Sequence, residues 1–172
     1  MNAQLREFTA RVDELIPRLR RYARALTGAR DAADDLVQDT LERAWTKLHL
    51  WRGGSDLRAW LFTIMHNVHV NQVRSRRAAM LPLDEEMADA PVRAVQSDLL
   101  EVRDIDTALQ RLPLEQRQVL LLVALEHMSY QEAADALAIP IGTVMSRLSR
   151  GRERLRSLLA GAEPAATLKV VK

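Results

Sequence analysis

Apolar residues recur every three or four positions from Leu5 to Arg77. The series runs through Leu15, Leu19, Tyr22, Ala23 and Leu26, then Leu36, Val37, Leu41, Ala44, Trp45 and Leu48. That period is helical and predicts three or four helices. Breaks fall at Thr27-Gly28, where glycine can end a helix, and at Gly53-Gly54, where two flexible residues require a loop. Ser55 or Asp56 can then cap a helix from about Leu57 to Arg77. Between Ala78 and Ser97 the period dissolves into acids, Pro82 and Pro91, as in an extended linker. Helical spacing resumes near Leu99 and passes through Ile105, Leu109 and Leu112; Pro113 interrupts, and a further helix is predicted from Leu114 to about Glu126. The pattern predicts an all-α fold of two small helical domains, 1–79 and 99–160, joined by a flexible acidic linker, 80–98, with a frayed tail at 161–172.

The strongest local pattern lies between Ser129 and Arg156. Ser129 and Glu132 have the spacing of a capping box, in which the hydroxyl accepts from the Glu132 amide and the carboxylate returns to the Ser129 amide. The short helix that starts there has Ala133, Ala134 and Leu137 as its inner face, and Ile139-Pro140-Ile141-Gly142 forces a tight turn before a second helix. Val144, Leu148 and Leu155 form the buried stripe of that second helix, while Met145, Ser146, Ser149 and Arg150 share another face. A helix so built suits the major groove, where arginine takes guanine edges in a bidentate pair. By spacing alone, an amphipathic hairpin with a solvated basic face fits nearly as well.

Composition narrows the classes. At 172 residues, with 48% hydrophobic content, the chain has room for two small modules and none for a large enzyme core. No run approaches the roughly 20 apolar residues of a membrane span, and MNAQLREFTARVDEL lacks the apolar stretch of a signal peptide, so a cytoplasmic protein without membrane insertion is expected. Zero cysteines remove disulfides, thiolate metal sites and cysteine nucleophiles together. The net charge is only +2, but it is segregated. Between Asp84 and Asp106 eight acids face Arg93 and Arg103, a net −6, whereas Arg147 to Arg156 holds five arginines against Glu153, a net +4. Arg74, Arg76 and Arg77 form a second basic cluster.

Three segments in order, DAADDLVQDTLERAW (31–45), LRAWLFTIMHNVHVNQVRSRR (57–77) and LPLEQRQVLLLVALEHMSYQEAADALAIPIGTVMSRLSRGRERL (112–155), resemble regions 2.2, 2.3 to 2.4 and 4 of the extracytoplasmic-function group of the sigma-70 family. The resemblance implies an alternative sigma factor that binds core RNA polymerase, through its beta-prime and beta subunits, and directs promoter-specific transcription initiation. It implies no cofactor, catalysis being left to the polymerase, and it implies an anti-sigma factor as a further partner of a chain that is monomeric when free.

Roles carry over position by position. Asp35, Gln38 and Asp39, which share one helix face, match residues that dock on the beta-prime clamp helices. The loop from Trp51 through Arg52, Gly53 and Gly54 to Asp56, with the helix after it, matches the part that captures the minus-ten element as single strand. Asn67, Asn71 and Arg74, at i, i+4 and i+7, suit base edges and phosphates there, as do Arg76 and Arg77. Trp60 is assigned to the core rather than to base stacking. Minus-thirty-five contacts fall on Thr143, Met145, Ser146, Ser149 and Arg150, with Arg147 and Arg154 near phosphates. Met145 stands where relatives commonly carry a basic residue and offers no strong hydrogen bond, so the minus-thirty-five sequence of relatives does not transfer; His127 stands where glycine is frequent, which changes the loop more than the function. The acidic linker resembles the connector that runs through the polymerase active-site channel, where its charge would mimic a polyanion.

Rival readings account for less. His66 and His69 sit three apart on one helix, but no acid at suitable spacing completes a metal site, and Ser129 and Ser146 lack a histidine-acid arrangement. A polymerase-independent helix-turn-helix regulator explains residues 129–156 but leaves 31–77 unexplained. A third reading is a sigma mimic that sequesters a regulator; the two DNA-facing clusters argue against it.

Overall fold

The computed structural model describes residues 3–79 and 98–161. Residues 1–2, 80–97 with most of the expected linker, and 162–172 with most of the expected tail lie outside the described residues. Seven α-helices are present among the described residues: α1 (Ala3–Thr27), α2 (Arg30–Thr46), α3 (Leu57–Ala79), α4 (Asp98–Gln110), α5 (Leu114–Leu120), α6 (Tyr130–Leu137) and α7 (Ile141–Leu159). A 3₁₀ turn, Leu48–Leu50, follows α2.

The breaks occur for local reasons. Gly28 has φ +73° and its amide donates to Arg24 O at 2.9 Å, ending α1 in the left-handed conformation that glycine adopts without steric cost. Asp56 caps α3: its Oδ1 accepts from the amides of Arg58, at 2.9 Å, and Ala59, at 3.3 Å. Both arms of the Ser129–Glu132 capping box form, at 3.2 and 2.7 Å, and α6 closes on Ala138 in the left-handed region before Pro140 starts α7.

One predicted helix is divided. In place of a regular helix from Leu114 to Glu126, α5 stops at Leu120 and Leu121–Leu125 form a π turn, with the Glu126 amide donating to Leu121 O at 3.1 Å. The wider turn takes up one extra residue, an arrangement common at functional positions. It ends on Glu126, and His127 then takes φ +54°. That left-handed backbone is the physical reason glycine suits the position.

The helices form two groups, α1–α3 and α4–α7, and the groups pack against each other. α1 touches α4, α5 and the π turn, and α3 lies against α6. The buried apolar residues form one continuous cluster, from Phe8, Leu19, Leu26 and Phe62 in the first group to Val119, Leu122, Leu137 and Leu148 in the second. Polar side chains close the seam. Glu126, wholly buried, accepts from Arg18 Nε at 2.9 Å and Arg21 Nη2 at 3.2 Å. Its carbonyl accepts from Arg58 Nη1 at 2.9 Å, and Arg58 also pairs with the Glu132 carboxylate at 3.1 Å. A second bond set works in the opposite sense. Buried Arg117 donates to Leu26 O at 2.6 Å, and Gln110 Nε2 donates to Ala25 O at 2.9 Å, so two last-turn carbonyls of α1 find donors in the other group.

Removing the carboxylate would leave Arg18 and Arg21 facing an apolar seam. Because both arginines keep partial access to water, Glu126→Ala is expected to cost about 2–3 kcal/mol, the low end for breaking a buried pair, while Arg21→Ala costs under about 1 kcal/mol. Urea denaturation of the two variants checks the difference.

Candidate nucleic-acid interface

The acidic face of α2 is outward. Asp35, Gln38 and Asp39 are exposed and sit beside an open groove of about 970 Å³ between α2 and α3, also lined by Arg43, Asn71 and Arg76. Gln38 Nε2 donates to Glu42 Oε1 at 3.0 Å, and Gln72 Nε2 of α3 donates to Asp39 Oδ2 at 2.7 Å. The latter bond ties the acidic face to the helix that carries the asparagines.

Asn67, Asn71 and Arg74 are exposed together on α3, and Arg76 and Arg77 follow at its exposed C-terminal end. Arg58 lies nine residues before Asn67, half a turn out of phase, so the face that meets the second helical group is opposite the face that carries the asparagines. Packing the two groups together therefore leaves Asn67, Asn71 and Arg74 open.

Ahead of α3 the loop is tightly held. Ser55 N and Oγ both bond Arg52 O, at 3.0 and 2.6 Å, and Gly54 has φ +82°. Arg52, Gly53 and Gly54 are exposed, but Trp51 is not. Its side chain is 2% exposed and packs at 6.4 Å from Phe8 and 6.3 Å from Trp60. Of the loop residues expected at the minus-ten strand, Trp51 is therefore set apart: burial in an aromatic cluster makes it the floor of the loop. Trp60 is half-buried in the same cluster, whereas Trp45, at the cluster's rim with Phe8 6.0 Å away, is 58% exposed.

On α7, Val144 and Leu148 are buried and Leu155 partly so, which turns Met145, Ser146, Ser149, Arg150 and Arg154 to the surface. Met145 is 52% exposed. Arg150 folds back along its own helix, donating to Ser146 O at 3.3 Å and reaching its Oγ at 3.4 Å. Thr143 is half-buried, and its carbonyl accepts from Ser146 Oγ at 3.1 Å. Arg147 is half-buried too, turned toward α5 and paired with Glu115 at 3.5 Å. A phosphate would have to draw it from that partner.

The sequence reading missed the groups that join the two halves: Arg18, Arg21, Arg58, Arg117 and Glu126. An acid at the end of LLLVALE carries no pattern of its own that marks it as buried. Among the described residues, no three His, Cys, Asp or Glu side chains come together as a metal site. His69 is buried with Nδ1 unpartnered, and burial, with the nearby charges of His66, Arg117 and Arg76, pushes its pKa down to about 4. Burial and Arg147 lower that of His66 as well.

Known proteins share this arrangement. Residues 12–66 match the Sigma2 domain of PhyR, and residues 102–155 match Sigma-70, region 4. The ECF RNA polymerase sigma factor EcfG of Rhodopseudomonas palustris is 39% identical over 145 residues, covering 84% of this chain and 80% of that protein. The chain belongs to the extracytoplasmic-function sigma factors. The sigma factor SigE of Mycolicibacterium smegmatis is 34% identical over 158 residues, 86% of this chain and 61% of its own length. Among solved structures, the sigma factor RpoE of Bartonella quintana, in complex with the anti-sigma factor NepR, superposes with a TM-score of 0.73 at 38% identity, covering 89% of this chain and 96% of that one. No helix among the described residues of this sigma factor is long and apolar enough to cross a membrane.

His69 makes the sigma factor's stability depend on pH. Its folded-state pKa lies below the ordinary 6.5, so the unfolded chain binds the proton first as pH falls. The neutral ring's contribution is complete above pH 6.5 and is lost progressively down to about pH 4, by up to about 3 kcal/mol in total. Thermal melts across this range are expected to fall less steeply for His69→Leu than for the parent chain.

Proposed function

We propose that this sigma factor docks on the beta-prime clamp helices of core RNA polymerase through Asp35, Gln38 and Asp39. In this reading it captures the minus-ten element as single strand with Arg52, Gly53, Gly54, Asn67, Asn71, Arg74, Arg76 and Arg77. It reads the minus-thirty-five element in the major groove with Met145, Ser146, Ser149 and Arg150, while Thr143, Arg147 and Arg154 contact the backbone. The observation that carries the reading is that one chain exposes an acidic helix face, a polar single-strand face and a basic recognition helix at the same time, with each face backed by buried core. The Bartonella sigma factor's complex with an anti-sigma factor supports such a partner for this chain also. Its cytoplasmic location and its lack of catalytic activity follow from the same reading.

Geometry then requires a change of shape. The two promoter elements are about 25 base pairs apart by name, roughly 85 Å at about 3.4 Å per pair. A compact chain of this size is only about 40 Å across. The two groups of helices must therefore separate on promoter DNA, withdrawing Glu126 from Arg18 and Arg21.

The rival reading is a mimic that binds a regulator in place of a sigma factor. In vitro transcription with core polymerase on a genomic promoter library separates the two. New starts sharing two spaced upstream motifs are expected; no starts, with a regulator captured instead, would mean a mimic. Arg150→Ala is expected to weaken minus-thirty-five binding by about 1–3 kcal/mol, the scale of a lost bidentate base contact, and unchanged binding at every promoter would remove Arg150 from the reading set.

A further inference from the structure

The loop assigned to the minus-ten strand does not stand alone. The first turns of α1, residues outside the stretch that matches the Sigma2 domain, grip it from one side. Gln4 Nε2 donates to Leu48 O at 2.8 Å and also to Trp51 O, anchoring both ends of the segment that enters the loop. Glu7 Oε1 accepts from the Gly54 amide at 3.2 Å, and the same carboxylate is held by Arg11 at 2.9 Å, one helical turn on. Phe8 is buried edge-on to Trp45, Trp51 and Trp60, at 6.0, 6.4 and 6.5 Å.

The glycines fit this contact. A Cβ on Gly53 would meet Glu7 Oε2 at 3.1 Å, tighter than most such contacts, so a side chain there would push the carboxylate aside by a few tenths of an ångström. Gly54 is in the left-handed region with open space around it, and its conformation is fixed instead by the Glu7 bond on its amide. An exposed loop with two adjacent glycines has many conformations to lose, and each anchor removes some of that freedom before DNA arrives.

We propose that Gln4 and Glu7 are positioning residues for minus-ten recognition, holding the loop in the shape that receives the single strand, with Phe8 fixing α1 beneath it. The inference rests on the reading that this loop captures the minus-ten element. Neither residue touches the base; both act through backbone groups of residues 48–54. A carboxylate at this place would repel a phosphate were it free, and its pairing with Arg11 and the Gly54 amide makes it compatible with a strand passing nearby.

The test is a ratio. In vitro transcription with core polymerase is measured on one promoter and on a set carrying single-base changes in the minus-ten element, so that discrimination is read independently of how much protein is folded. Glu7→Ala is expected to lower discrimination at the base nearest the loop by about three- to tenfold, the scale of one hydrogen bond. Glu7→Gln, which keeps an oxygen for the Gly54 amide, should restore most of it, and minus-thirty-five discrimination and polymerase affinity should be unchanged in both. Arg52→Ala, a change in the loop itself, separates the two ways of failing. If Arg52→Ala alters minus-ten discrimination and Glu7→Ala does not, the positioning role is wrong. If neither alters it, the loop is not the minus-ten reader and the inference falls with that reading.

Discussion

A carboxylate with no access to water organises this molecule. Glu126 sits at the end of a π turn in one group of helices and is held by arginines of the other, so neither group is fully satisfied without its neighbour. Apolar burial supplies most of the attraction across the seam, as it does in any core. The ion pair adds selectivity of arrangement, because a buried charge tolerates few alternative registers. Arg117, reaching back to the end of α1, imposes the same condition from the other side.

The same constraint separates what the free chain can do from what promoter reading demands. The faces assigned to polymerase and DNA point outward while the halves are packed together, with Thr143 half-buried and Arg147 turned toward α5. Reading two elements of one promoter nonetheless needs them much farther apart than a compact chain permits. The partly exposed arginines matter here. Arg18 and Arg21 keep some contact with water, so releasing Glu126 costs less than freeing a pair that is buried on both sides. On the proposed reading, the seam holds in the free chain and yields to the larger binding energy of polymerase and promoter.

Much of the fold was legible because its causes are local. Helical period, the Ser129–Glu132 box, Gly28, and the stop at Ile139-Pro140 each act within a few residues, and each appears where the pattern puts it. The exposed faces of α2, α3 and α7 were legible for the same reason, since a buried stripe such as Val144 and Leu148 determines what lies opposite. Contacts between distant parts of the chain were not legible. Arg58 and Glu126 are 68 residues apart, and Gly54 and Glu7 are 47 apart, with no periodic pattern to join them. Trp51 shows the limit from the other direction: the pattern puts it at the start of a polar loop, and only Phe8 and Trp60, distant in sequence, show that its ring is enclosed.

If the closed pair of helical groups opens on promoter DNA, as proposed, the distance between the groups must change. The chain has no cysteines of its own, so spin labels on cysteines placed at Asp13 of α1 and Thr107 of α4, both exposed and neither assigned to polymerase or DNA, report one distance between the two groups. In the free protein a single narrow distance is expected, within the roughly 40 Å of a compact chain. With core polymerase and promoter DNA the distance is expected to shift well beyond that value. An unchanged short distance in a transcribing complex would contradict the opening of a closed pair, as would a broad, long distribution in the free protein.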